Sequence, residues 1–138
     1  MKIIFCLLIS ILSYSQEIKI NNDSINLENG TEAHFKENNF EKAESIFNQI
    51  LNSNDKNPDA YFRRGRLYFS WKKYKKAIND FEKSIKYNYS DLSKSYSMIG
   101  MSKMLLSNDP RSLCKDFKKA IKYDQTLTEF NFYKDFCK

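Results

Sequence analysis

The chain has 138 residues, with 23 lysines and arginines against 17 aspartates and glutamates, for a formal net charge of +6. That excess promotes solubility and a weak attraction to acidic polymers, but does not by itself identify a ligand. Only three glycines and two prolines are present, against plentiful Lys, Asn, Ser, Phe and Tyr, which excludes a low-complexity linker and favours helices joined by tight Asn/Asp turns. In chain order, residues 1–15 (MKIIFCLLISILSYS) come first and differ from everything after them. Lys2, an apolar run from Ile3 to Leu12 and a small-x-small end at Ser13–Ser15 have the anatomy of a secretory signal, with cleavage expected before Gln16. A membrane-spanning helix needs about 20 apolar residues, so an uncleaved anchor is disfavoured. Cys6 lies inside the apolar core rather than after it, which argues against a lipid attachment site. The mature chain would then hold 138 − 15 = 123 residues and a net charge of 22 − 17 = +5, enough for one domain with a real core.

Residues 16–23 read as a short linker, and a repeat begins near residue 24. Aligning Tyr61–Ile85 with the segment 34 residues earlier places Tyr74 on Phe40, Ala77 on Ala43, Phe81 on Phe47 and Ile85 on Leu51. The shared alanine marks a point where two helices must approach closely, which amphipathicity alone does not require. A looser third copy follows. Gly100 lies 35 residues after Gly65, and Phe117-x2-Ala120-Ile121 mirrors Phe81-x2-Ser84-Ile85 at a shift of 36. Tyr74, Ala77, Ile78, Phe81 and Ile85 share one helical face, and Tyr61, Gly65, Tyr68 and Phe69 mark another. Turns are expected at Asn38-Asn39, Asn52–Pro58, Lys72-Lys73, Asn88–Asp91 and Ser107–Pro110, with Pro58 and Pro110 opening helices.

On these residues the chain resembles the tetratricopeptide repeat family, whose unit is a pair of antiparallel helices. In the second unit (58–91) the resemblance is carried by Ala60, Tyr61, Gly65, Tyr68, Tyr74, Ala77, Phe81 and Ser84, with Pro58 opening the unit. The first unit (24–57) matches through Ala33, Phe40, Ala43 and Phe47, but has Thr31 at the glycine position, with Gly30 one residue early. The third (93–124) keeps Tyr96, Gly100, Phe117 and Ala120, and has Pro110 and Leu113 in place of the aromatic-x2-Ala turn. The implied fold is all-α: a right-handed helical-hairpin solenoid of about three repeats, closed by a C-terminal capping helix at about 126–137. Leu127, Phe130, Phe132, Tyr133 and Phe136 would cover the exposed end of that solenoid. Cys114 and Cys137, the two cysteines left after cleavage, point to a disulfide by their even count in an exported chain, the alternative being two free buried thiols. The tail resembles that of small exported tetratricopeptide proteins of Gram-negative bacteria, in which such a pair ties the capping helix to the last repeat.

The resemblance also implies where a partner would bind. The family usually binds proteins or peptides on a concave surface lined by the first helix of each repeat. Here that surface would be Glu28, Asn29, Glu32, Phe35 and Lys36, then Asp59, Phe62, Arg63, Arg66 and Phe69, then Lys94, Ser97, Met98, Met101 and Met104. Arg63 and Arg66 between phenylalanines could hold a peptide carboxylate, beside an adaptable methionine wall. The alternative is that Phe35, Phe62, Phe69, Met98 and Met101 fill space between helices while the arginines are solvated. Catalysis has no support. The single histidine, His34, reads as a partly exposed helix residue without zinc-like spacing, and neither a nucleophile elbow nor a phosphate loop occurs. No cofactor and no metal are expected. The reading is thus a non-catalytic protein- or peptide-binding scaffold exported to the periplasm or beyond. The rivals are electrostatic binding of nucleic acid or an anionic envelope polymer, and a structural part of an envelope assembly. Trp71–Tyr87 (WKKYKKAINDFEKSIKY), the most basic stretch, reads as a repeat helix with inward aromatics and a solvated, lysine-rich back.

Overall fold

The computed structural model describes residues 2–129 and Cys137. Among these residues six α-helices follow one another: α1 (Lys2–Phe35), α2 (Phe40–Ser53), α3 (Pro58–Ser70), α4 (Tyr74–Lys86), α5 (Leu92–Ser107) and α6 (Cys114–Ile121). Two short 3-10 turns, Pro110–Leu113 and Gln125–Glu129, flank the last helix, and no strand occurs among the described residues. Among the described residues each helix packs on the next, which gives an all-α helical-hairpin solenoid like the one the tetratricopeptide resemblance implies. The expected capping helix falls largely on residues 130–136, outside the described ones, and its first turn, Gln125–Glu129, is 3-10. Residues 16–23, expected as a linker, are helical and continue into the first repeat.

Local chemistry explains where the helices start and stop. The Asn39, Asn57 and Asp91 side chains accept from the backbone N–H groups of Lys42, Ala60 and Lys94, capping α2, α3 and α5. Pro58 sits in the first turn of α3, where its missing N–H costs nothing. Three turn residues with left-handed backbone are asparagines, Asn38, Asn88 and Asn108, a residue type that tolerates that conformation; the fourth is Lys72.

Two apolar clusters hold the solenoid. Ala33, Ala43, Phe47, Ile50, Leu51, Ala60, Tyr61 and Leu67 join α1, α2 and α3. Phe62, Tyr68, Ala77, Phe81 and Ile99 join α3, α4 and α5. The expected alanine approach is realised, since Ala43, Ala77 and Ala120 are completely buried. Between α4 and α5 the buried Ser84 and Ser95 hydroxyls hydrogen-bond each other at 3.0 Å, so neither is left unsatisfied.

The amino-terminal part of α1 differs from all this. Leu8, Ile9, Ile11, Leu12 and Tyr14 are each more than half exposed. Among the described residues, no helix is long and apolar enough to cross a membrane.

Candidate functional site

Helices α1 and α3 lie side by side and bring their facing side chains together. Between them is a depression of ≈ 400 Å³ lined by Ser24, Glu28, Thr31, Glu32, Phe35, Lys36 and Arg63. Phe35 is 53 % exposed, and the Arg66 guanidinium lies 4.7 Å from its ring centroid, so an open aromatic face carries a fixed positive charge. Arg63 donates through Nη1 to the Thr31 hydroxyl at 2.7 Å, and Thr31 in turn donates to the Leu27 carbonyl at 2.7 Å. At the rim Lys36 pairs with Glu32 at 2.7 Å, a hydrogen bond that holds the Glu32 carboxyl below its ordinary range. Farther along the same side, Lys94 lies close enough to Arg66 to feel its charge, although Asp91 dominates and raises the Lys94 ammonium.

The sequence-derived candidates separate into two groups. Phe35, Arg63 and Arg66 come together at this depression, with Glu28, Glu32 and Lys36 around them. Phe62 does not: it is 5 % exposed, stacked on Tyr89 at 4.2 Å and tilted against Phe81 at 5.6 Å, so it is a core residue. Phe69 meets Tyr74 edge-on at 5.8 Å and packs against the second cluster, as does Met98, while Met101 is half-buried on α5. His34 also departs from expectation. It is 5 % exposed, stacked on Phe35 at 4.1 Å and near Phe40 at 5.7 Å. That burial, with the Arg66 charge nearby, lowers its pKa and favours the neutral ring.

Two glycines decide what kind of unit this is. A Cβ at Gly65 would lie 2.8 Å from the Phe81 ring, and one at Gly30 would lie 2.8 Å from the Phe47 ring. Each glycine therefore lets the second helix of its hairpin press an aromatic ring onto the first. This corrects the alignment of the first unit, because Gly30, and not Thr31, occupies the packing position. The cause is the turn. Four residues (36–39) separate α1 from α2, whereas three (71–73) separate α3 from α4, so the register of α1 slips by one. Residues 58–88 match the family model described as Tetratricopeptide repeat. The chain carries a tetratricopeptide repeat. Among curated proteins none matches it.

With Gly30 in register, Thr31 of the first repeat stands where the second has Arg66, and Glu28 where it has Arg63. The repeat also contains polar anchors that pattern reading missed. The Arg64 guanidinium makes two hydrogen bonds to the buried Asp80 carboxylate, at 2.7 and 2.9 Å, and a third to Asn48 at 2.6 Å. Tyr68 donates to Glu44 at 2.6 Å; burial first, and then this bond, raises the Tyr68 pKa well above its ordinary value. In the third unit Lys103 reaches the buried Asp116 at 2.6 Å. Asp80 and Asp116 immediately precede Phe81 and Phe117, so the shift of 36 that pairs the phenylalanines pairs these aspartates too. That signal could have found them.

Cys114 and Cys137 are joined, with their Cα atoms 5.3 Å apart. Among the described residues, no group of three His, Cys, Asp or Glu side chains could hold a metal.

Proposed function

We propose that the protein is a non-catalytic scaffold that binds a protein or peptide at the α1–α3 depression, and that it acts in the cell envelope after export. The carrying observation is the exposed Phe35 ring with Arg66 fixed over it, beside an arginine held in place by Thr31. An open aromatic next to a preorganised guanidinium suits a short apolar segment bearing a carboxylate. The tetratricopeptide repeat supports this reading, since such repeats generally mediate protein–protein interaction. Export is supported by the leader-like composition of residues 1–15 and by the apolar side chains there that the fold leaves uncovered.

A photo-crosslinking amino acid placed at Phe35 in the living cell should give discrete adducts that disappear when Arg66→Glu is added. The same probe at Asn79, exposed on α4, should give none. Equal adduct yields from both positions, or adducts indifferent to Arg66, would remove the groove reading. Export is tested separately by the amino terminus of the purified protein, expected at Gln16.

A further inference from the structure

The turn between α3 and α4 combines three departures from local stability. Helices α2, α3 and α5 begin under an Asn or Asp side-chain cap, whereas α4, preceded by Lys73, has no side-chain cap hydrogen bond, as is also true of α6. Its first turn carries Lys75 and Lys76, cations at the end of a helix that favours anions. Lys72 adopts a left-handed φ of 57°, where the chain elsewhere uses asparagine. Departures from local stability concentrated in one place point to function.

The charges of this turn lack close carboxylate partners, although the Lys73 ammonium lies 2.9 Å from the Trp71 ring centroid. In the neighbouring intra-repeat turns the basic groups are neutralised locally, Lys42 by Glu37 at 2.9 Å and Arg111 by Asp109 at 3.3 Å. Among the described residues Lys72, Lys73 and Lys75 have no carboxylate within 4.0 Å, and Lys76 reaches Glu44 only at 3.8 Å. Beside them Leu106, in the last turn of α5 and 46 % exposed, lines with Lys72, Lys73, Lys75, Lys76 and Tyr74 a shallow apolar hollow of ≈ 400 Å³.

We infer that this edge of the solenoid docks onto a bilayer rich in anionic lipid. The lysines would meet headgroup phosphates, and Leu106 would enter the interface beside them. Charge complementarity selects an anionic partner, and the exposed leucine within the lysine cluster favours a lipid surface over a nucleic acid, whose backbone offers nothing apolar to cover it. The edge does not use Phe35, Arg63 or Arg66, so this inference is independent of the groove reading.

Trp71, the only tryptophan of the chain, is half-buried against Phe40 and carries the Lys73 ammonium over its ring, so its emission follows the displacement of that ammonium toward a headgroup. The full chain should sediment with phosphatidylglycerol-containing vesicles, with a blue shift of its Trp71 emission, and not with phosphatidylcholine vesicles. Lys72→Glu with Lys75→Glu should weaken that binding by at least about tenfold at unchanged helicity. Lys72→Asn, which suits the left-handed backbone, should weaken it less, and Arg66→Glu should leave it unchanged. Equal binding to neutral vesicles, binding without a change in Trp71 emission, or full binding by the double variant would each overturn the inference. So would tighter binding to a DNA duplex than to the anionic vesicles.

Discussion

The second and third hairpins are built on the same plan, yet they are locked in different ways. In the second, Gly65 admits the Phe81 ring, and Arg64 grips Asp80 through two hydrogen bonds with its side chain only 16 % exposed. In the third, Gly100 faces the backbone of Leu113 instead of a ring, because the Pro110–Leu113 turn replaces the start of a regular second helix. Its buried Asp116 is met by Lys103, whose side chain is 37 % exposed. The family pattern is therefore sharp where an aromatic ring and a guanidinium both need defined seats. It blurs where a backbone carbonyl and a flexible ammonium can adjust.

Two pairs of substitutions probe that contrast, in descending order of effect. Removing the buried anion should separate the hairpins most. Asp80→Ala strands Arg64 and should cost about 3 kcal/mol or more. Asp116→Ala leaves a lysine that can turn to water and should cost about 1 kcal/mol. Urea unfolding of both variants measures the difference, and equal losses would show that the two anchors are equivalent. Adding a methyl group to the close approach comes next. Gly65→Ala drives a Cβ into a fully buried ring and should cost about 1–3 kcal/mol, whereas Gly100→Ala needs Leu113 to shift only slightly and should cost less.

The smallest effect concerns the first repeat, which has His34 where the second has Phe69. The His34 pKa is lowered in the fold, so between that lowered value and the ordinary value of about 6.5 the unfolded chain binds more protons than the folded one. Stability should be complete above about pH 6.5 and should fall as pH drops below it, by less than about 1.4 kcal/mol per pH unit for one proton. Thermal unfolding at pH 5.5 and 7.5 should show this dependence in the native chain and lose it in His34→Gln. A dependence that survives the substitution would assign it to another group.

Much of the architecture was legible because it rests on volume and periodicity. The 34-residue spacing, the alanines at the helix crossings, and the Asn and Pro turn residues foretold α2 to α5 closely. The one-residue slip in the first repeat escaped, since nothing in Lys36-Glu37-Asn38-Asn39 or Trp71-Lys72-Lys73 marks where the preceding helix ends. The groove was legible in part. Helical spacing put Phe35, Arg63 and Arg66 on a common side, but spacing treats Phe62 as their equal, and only the rings of Phe81 and Tyr89 claim it for the core. His34 was misplaced for the same reason, because its burial comes from Phe40 on another helix.

By itself the sequence determined the helical repeat, because close packing permits only small residues at the crossings and large ones between them. Tertiary structure alone decided which basic groups are spent and which stay available. Arg64 is consumed by Asp80 and Asn48, and Arg63 is steadied by Thr31, whereas Arg66 rests on an exposed ring. Lys72 and Lys75 are left without an ion partner among the described residues, and Lys73 has only the Trp71 ring. A charge in a sequence is only a potential interaction. Whether it is neutralised depends on carboxylates brought within a few ångströms from other helices, and that proximity is set by the fold.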